Sequence, residues 1–317
     1  MSWEGRQVLV TGAGGFIGSH LVKRLLAEGA RVHILIRKST SLRRLQDSLN
    51  QLTIWEADIT DRDALQSTVP RIQPHIVFHL AALVDVSRSW ELITPLAQTN
   101  ILGTIHLVSA VKDSPLEAFI QTSSSEEYGD AVSPLEETQR ESPISPYSFS
   151  KVASTHFCQM VARTFDVPIA TVRLFPTYGP FQDSSMFIPS AIRTLFLNRT
   201  FKMSPGDQLR DFNYVDDIVE AYLRVAQCPD ARGELLNVGS GAAYTLKDVI
   251  ETIRRLLGGD TTVEVGALPY RKGEGSKIFC DNRKIQQLTG WSPKISLEEG
   301  LRLTVDWYKS TGSHLNY

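Results

Sequence analysis

The chain has 317 residues, 42% hydrophobic and 21% charged, a composition that excludes wholesale disorder and supports one large α/β domain or two smaller ones. Lys and Arg total 33 against 35 Asp and Glu, a formal net charge of -2. That balance excludes a general nucleic-acid coat, so any anionic ligand must be held by a few placed donors. Cys158, Cys228 and Cys280 are widely spaced and odd in number. They form neither a metal-ligand pair nor a disulfide framework, which points to a reducing compartment. The opening MSWEGRQVLV lacks the apolar run of a signal peptide, and no stretch approaches the roughly 20 apolar residues of a membrane span. The expectation is a soluble, cytoplasmic chain with no membrane partner.

In chain order, the apolar run at Val8 to Val10 predicts a buried strand and Phe16 to Ala27 a helix. Strands follow at Val32 to Ile36, Leu52 to Trp55 and Ile76 to Leu80. Helical spacing runs from Leu92 to Val111 through Leu96, Ile101, Ile105, Val108 and Val111. Ala118 to Gln121 predicts a strand, Tyr147 to Phe165 a helix, and Ile169 to Leu174 a strand. Strand alternating with helix implies a doubly wound parallel sheet covered on both faces, with right-handed crossovers. After about residue 175 the rhythm breaks, with prolines at 176, 180, 189 and 205 and glycines at 179 and 206. Residues 1–175 are therefore read as a nucleotide-binding domain, and 176–317 as mainly a smaller lobe that interleaves with its sheet. The proline-bearing loop from Asp130 to Ser145 is expected to cross the surface near a site.

The first strand runs straight into TGAGGFIG, residues 11–18, with glycines at 12, 15 and 18 and another at 14. A tight turn and close backbone approach require residues without Cβ, and the helix that follows aims its N-terminus at a pyrophosphate. A plain strand-to-helix turn is the bland alternative, weakened by the strand before and the helix after. At the end of the second strand an acid would bind the adenosine ribose. Here VHILIRKSTS places Arg37, Lys38 and Ser39 instead. Cations beside hydroxyls suit a 2′-phosphate, which favours NADP over NAD; the alternative is a solvated strand end. Asp58 and Ile59, in ADIT, are expected beside the adenine.

TSSSEEYGD spans 122–130 directly after a predicted strand, and strand ends face the ligand crevice in such sheets. YSFSK puts Tyr147 and Lys151 four apart, on one helix face. A lysine ammonium near the tyrosine favours its phenolate, which can take a hydroxyl proton while hydride leaves for a nicotinamide. Y-x-x-x-K alone arises by chance in many helices; with the glycine loop and the serines in this order it becomes specific.

These motifs together resemble the extended short-chain dehydrogenases/reductases of the nucleotide-sugar epimerase/dehydratase family, over nearly the whole length. TGAGGFIG resembles the family's cofactor loop, which implies Gly12, Gly15, Phe16, Ile17 and Gly18 against the dinucleotide. HLAA at 79–82 resembles its fourth-strand segment, with Leu80, Ala81 and Ala82 beside the cofactor. TNILGT at 99–104 resembles the segment whose asparagine, here Asn100, supports the site. In TSSSEEYGD the active hydroxyl falls at Ser124, with Ser125 beside it toward the substrate. RLFPTYGP, RDFNYVDD, YRKGEG and DNRKIQQLTGWSPKISLEEGL resemble later signatures of the family.

The resemblance implies a Rossmann domain, with the smaller lobe binding a nucleoside diphosphate sugar. Tyr147 is the implied base for oxidation at carbon 4, Ser124 the hydrogen-bond partner of that hydroxyl, and Lys151 the group that orients the ribose and tunes Tyr147. Arg210 and Arg271 are the implied diphosphate ligands. Homodimers through helices near 91–111 and 145–165 are implied as well. Two positions depart from the pattern: Pro176 stands where an asparagine contacts the diphosphate, and Met186 where some relatives carry another asparagine. Ser124, Ser125 and Glu126 resemble the Thr-Ser-Glu of GDP-mannose 4,6-dehydratases, which implies Glu126 as a base at carbon 5; the alternative is a supporting hydrogen bond. Glu127 is expected to point away, as neighbours on an extended chain do.

An internal-redox epimerase or 4,6-dehydratase is thus the leading expectation. An NADPH-dependent reductase of a 4-keto-6-deoxy sugar nucleotide comes second, and a non-catalytic NADP-sensing regulator is remote because Tyr147 and Lys151 are present. His20, His33, His75, His79, His106, His156 and His314 show no metal-ligand spacing, so no metal is expected; His79 reads as a core residue, as do Trp55 and Trp291. Ser87 and Arg88 either line the sugar pocket or form a turn before Glu91.

Overall fold

Seven strands of four to seven residues make the central sheet, and the inner ones are almost continuously buried, as strands covered on both faces require. In the computed structural model, residues 2–258, 261–270 and 275–311 are described. The chain begins with β1 (Gln7–Thr11), α1 (Phe16–Ala27), β2 (Arg31–Ile36), β3 (Thr53–Glu56), α2 (Arg62–Ile72) and β4 (Ile76–His79). It continues through α3 (Ile93–Leu96), α4 (Gly103–Val111), β5 (Ala118–Ser124), α5 (Pro146–Phe165) and β6 (Ile169–Leu174). The second half contributes β7 (Thr177–Tyr178), α6 (Phe187–Phe196), β8 (Phe201–Met203), β9 (Leu209–Arg210), β10 (Asn213–Tyr214), α7 (Val215–Gln227) and β11 (Leu235–Val238). It ends with β12 (Tyr244–Thr245), α8 (Leu246–Leu257), β13 (Val263–Val265), β14 (Lys277–Ile278), α9 (Arg283–Thr289) and α10 (Leu297–Thr311).

The sheet order is β11-β6-β5-β4-β1-β2-β3, all parallel. The chain moves outward from β1 to β3, then crosses back to place β4 on the other side of β1. That reversal opens a crevice at the carboxyl ends of β1 and β4, where doubly wound sheets take their ligands. Alternation along the strands divides the core. Val8, Val10, Ile34, Phe78 and Ile120 face one cluster, whereas Leu9, Leu35, Val77 and Phe119 face the other. The chain after residue 175 adds to this frame: β11 forms one edge of the sheet, while the short strands pair as β10 with β7, β13 with β8, and β9 between β12 and β14.

Two local expectations change. The run from Leu92 to Val111 is helical but changes hydrogen-bond register on the way: a 3₁₀ turn at Trp90–Leu92 leads into α3, a π-helical stretch spans Ala97–Leu102, and α4 follows without a break. Tertiary contact overrides the local pattern there. Gly103 lies against Ile59, where an added Cβ would come within 2.8 Å of Cδ1, and Asn100 turns inward to bond the loop after β4. Ser125–Tyr128 is a 3₁₀ turn, not an extended segment, so the facing of Glu126 and Glu127 follows three residues per turn instead of two.

Candidate active site

The end of β1 and the start of α1 leave no room for side chains. Gly12 turns with φ +73°, and a Cβ there would meet the Leu80 and Ala81 backbone at 2.7 Å. A Cβ on Gly18 would lie 2.2 Å from the Gly12 carbonyl oxygen. Gly15 caps α1 without a side-chain hydrogen bond, so the amides of the first turn stay available to a ligand. Phe16 and Ile17 are half-buried in that turn. These features fit a pyrophosphate lying across the loop. Arg44, which sequence reasoning missed, donates to the Gly14 carbonyl (3.1 Å) and the Phe181 carbonyl (2.9 Å), tying the loop to the second half of the chain.

Beyond the loop, a cleft of about 560 Å³ is lined by Arg37, Lys38, Ser39, Glu56, Ala57, Asp58, Asp61 and Ala64. Arg37, Lys38 and Ser39 are exposed there. The Asp58 carboxylate accepts from the amide and hydroxyl of Thr60. The Ile59 side chain does not reach the cleft, being buried in the core against Gly103.

Strand ends and one helix start assemble the central cluster. Ser124 closes β5; its hydroxyl accepts from the Glu126 amide (3.2 Å) and hydrogen-bonds Tyr147. Tyr147 sits in the first turn of α5, held there because Ser145 and Ser148 cap that helix reciprocally and Pro146 opens it. Burial pushes the Tyr147 phenol far above its ordinary value, while the Ser124 hydrogen bond opposes that rise. One turn on, the buried Lys151 donates to the Thr122 carbonyl (2.9 Å), with its ammonium 5.9 Å from the Tyr147 ring centroid. Burial lowers Lys151 to about 8. Ser125 is buried, Glu126 is half-buried, and the charge of Glu126 acts on Tyr147.

A directional polar chain, not visible in the sequence, joins the glycine loop to this cluster. The Thr104 hydroxyl donates to the Asn100 carbonyl, so it must accept from His79 Nε2–H (3.1 Å). His79 Nδ1 is then an acceptor for the Thr11 hydroxyl (2.7 Å), whose oxygen accepts from the Ala81 amide (3.2 Å). The Asn100 side chain bonds the Leu83 amide and carbonyl and the Ser150 hydroxyl, and Ser150 in turn donates to the Tyr147 carbonyl. Leu80, Ala81 and Ala82 follow β4 half-buried, and the Leu80 and Ala81 backbone lies against Gly12.

The expected substrate groups are more dispersed. Ser87 is exposed, and its amide donates to Asp85 (2.9 Å) in a local turn. Arg210 is buried in β9 and donates to the Leu209 carbonyl (2.9 Å). Arg271 and His314 lie outside the described residues. The Pro176 carbonyl accepts from the Asn213 amide (2.8 Å), which joins β7 to β10; Met186 is exposed at the start of α6. Among the described residues, no cluster of His, Cys, Asp and Glu could hold a metal ion.

A glycine loop at the sheet's reversal point, with a serine at a neighbouring strand end and a tyrosine and lysine on the first turns of α5, defines a dinucleotide-dependent enzyme. The chain belongs to the family described by the GDP-mannose 4,6 dehydratase model, which matches residues 9–304. It is 31% identical over 314 residues to UDP-glucose 4-epimerase of Mycolicibacterium smegmatis, covering 96% of this chain and 99% of that one. It is 32% identical to dTDP-glucose 4,6-dehydratase 1 of Escherichia coli, covering 96% and 93%. Among solved structures, UDP-glucose 4-epimerase of Thermotoga maritima with UDP-glucose superposes with a TM-score of 0.88 at 30% identity, over 96% and 99% of the chains. UDP-glucuronic acid 4-epimerase of Bacillus cereus, with UDP-glucuronic acid and NAD, gives 0.86 at 29% identity, also over 96% and 99%. The protein is thus an NAD(P)-dependent nucleotide-sugar epimerase/dehydratase of the extended short-chain dehydrogenase/reductase type.

Proposed function

We propose that the enzyme oxidises carbon 4 of a nucleoside diphosphate hexose, carries the ketone on to loss of water across carbons 5 and 6, and keeps NADP as its resident cofactor. The observation that carries this reading is Glu126, a half-buried carboxylate two residues after Ser124 whose charge acts on Tyr147. When bound, the nicotinamide accepts a hydride and later returns it. Tyr147, as phenolate, takes the proton of the carbon 4 hydroxyl while Ser124 holds that oxygen. Burial opposes the phenolate, so Tyr147 depends on the positive charge of Lys151 one turn away. Glu126 takes the proton from carbon 5 and gives it to the carbon 6 hydroxyl as that bond breaks, so water leaves; carbon 6 then receives the hydride and carbon 5 the proton first taken by Tyr147. Ser87, Ser125, Arg210 and Arg271 are proposed to grip the sugar and the diphosphate.

A 4-epimerase with the same first step is the second reading, favoured by the 4-epimerases among the solved neighbours. One experiment separates them. Offered a panel of nucleoside diphosphate hexoses, the enzyme is expected to give a 4-keto-6-deoxy product of lower mass; an isomer of unchanged mass, retained in Glu126→Gln, would establish the epimerase instead.

For the cofactor, Arg37, Lys38 and Ser39 support a 2′-phosphate. NAD is the competing reading, supported by Glu56, Asp58 and Asp61 in the same cleft and by NAD in the neighbours. Mass spectrometry of the nucleotide released from the purified protein decides: NADP supports the proposal and NAD replaces it. An empty protein that binds NADPH reversibly would favour the external reductase. A homodimer is also proposed, because Trp90, Leu102, Phe149, Met160 and Phe165 expose apolar surface along residues 90–111 and α5. Light scattering of wild type and Phe149→Asp tests it. The three free cysteines accord with a cytoplasmic setting. Among the described residues, no helix is long and apolar enough to cross a membrane.

A further inference from the structure

We infer that Glu127 is a positioning residue for Lys151: a buried carboxylate, clamped by Arg173, that serves as the counter-charge of the lysine and keeps it cationic. The inference rests on the proposed role of Lys151 beside Tyr147. Glu127 has no exposed surface, and both of its oxygens are occupied. Oε1 accepts from the Thr155 hydroxyl (2.8 Å) and from Ser123; Oε2 accepts from Arg173 Nε (2.6 Å) and Nη2. A carboxylate so enclosed has no route to substrate, so acid–base chemistry falls to its neighbour Glu126.

The donors around Glu127 are the neighbours of Lys151. Thr155 lies one turn after Lys151 on the same face of α5. Ser123 follows Thr122, whose carbonyl receives the Lys151 ammonium. Adjacent residues of β5, Thr122 and Ser123, therefore hold the lysine and the carboxylate, and one face of α5 carries both Lys151 and the carboxylate's partner Thr155. Beyond Arg173 the charges continue to alternate: its Nη2 also meets Glu141, and Glu141 faces His156 at the surface (3.4 Å). The buried Lys151, Glu127 and Arg173 and the half-buried Glu141 alternate in sign and sum to zero, which is how buried charge is tolerated. The arginine is also fixed sideways, its guanidinium lying 4.5 Å over the Tyr128 ring.

The titratable groups whose charges couple to Lys151 are Glu127 from the 3₁₀ turn, His79 from β4 and Cys158 from α5, and Tyr147 lies one turn back on α5. Of these, Glu127 is the carboxylate. Burial already lowers Lys151 to about 8, and Glu127 opposes that fall. If the charge of Glu127 is removed, Arg173 keeps Glu141, but Lys151 loses its counter-charge. The lysine then gives up its proton at lower pH, and the activity that needs the ammonium disappears earlier as pH rises.

The test is the pH profile of kcat for the holoenzyme. Glu127→Gln is expected to move the alkaline limb down by about one pH unit, the size of a lost nearby charge. Glu127→Asp, which keeps the charge, is expected to hold the limb in place, as is Glu141→Gln, which removes the outer carboxylate. In a Lys151→Met background, Glu127→Gln should cause no further loss. A fall in kcat with the limb unmoved would assign Glu127 a purely structural role and overturn the inference. If the Gln variant does not fold, the wild-type holoenzyme carries the test. Its ¹⁵N-labelled Lys151 signal, assigned by its loss in Lys151→Met, should titrate above pH 7; a midpoint below 7 overturns the inference. Failure of the underlying reading looks different: Tyr147→Phe would then keep full activity.

Discussion

His79→Leu tests the polar chain beneath the site and has a pH signature of its own. His79 is buried, and its two ring nitrogens are engaged by Thr11 and Thr104. Burial, with Lys151 nearby, lowers His79 from 6.5 to about 3, so it folds as the neutral ring. The unfolded chain binds that proton near pH 6.5 and the folded chain does not. Stability from this group is therefore complete above pH 6.5 and is lost as pH falls toward 3. At roughly 1.4 kcal/mol per pH unit, the full loss approaches ~5 kcal/mol, and the portion between pH 6.5 and pH 5 is ~2 kcal/mol. Leucine removes the titration and two hydrogen bonds, worth about 1 kcal/mol each. At pH 7.5 the variant should be about 2 kcal/mol less stable than wild type. At pH 5 that gap should close by about 2 kcal/mol, because only wild type carries the penalty. Urea unfolding at the two pH values measures both differences, and other titrating groups cancel between the proteins. A gap independent of pH would refute a neutral buried His79 and, with it, the donor order assigned to the chain.

Tyr147→Phe should lower kcat by ~10²–10⁴-fold, the usual share of a positioned base, while nucleotide remains bound when released and weighed after purification. Arg37→Asp should weaken NADP more than NAD in fluorescence titrations; an unchanged ratio would reject the 2′-phosphate reading. Gly12→Ala combines a φ of +73° with a Cβ placed 2.7 Å from the Leu80 and Ala81 backbone. It should abolish nucleotide retention and lower the thermal midpoint, whereas wild-type retention would show that the loop has slack. Asn100→Ala cuts the bonds to Leu83 and Ser150, and should reduce kcat more than it raises KM for the sugar nucleotide.

The sheet was readable where burial on both faces forces an apolar run. Val8 to Val10, Val32 to Ile36 and Ile169 to Leu174 each fall within an observed strand. The third strand sits one residue later than expected, at Thr53–Glu56, because it is an edge with Thr53, Ile54 and Glu56 exposed and its pattern is weak. α2 escaped notice, its short apolar face interrupted by Pro70, as did β11, a four-residue run inside the irregular second half. That Ser124, Tyr147 and Lys151 cluster was legible because their juxtaposition follows from spacing along one strand end and one helix. Arg173, Thr155 and Arg44 were not, since each acts through a partner 28 or more residues away in sequence.

Glu126 and Glu127 show why neighbouring identical residues need the structure to be told apart. The backbone turns by a 3₁₀ step between them. One carboxylate stays half-buried with its charge acting on Tyr147, and is the one proposed to exchange protons with substrate; the other is sealed against Arg173 and held by four donors. On the proposed roles, a clamped Glu126 could not reach carbon 5, and an exposed Glu127 would leave Lys151 without its buried counter-charge. The double exchange of function is measurable, because Glu126→Gln should change which product forms without moving the alkaline limb, and Glu127→Gln should move the limb without changing the product. If both substitutions altered the same observable, the division of labour argued from this turn would be wrong.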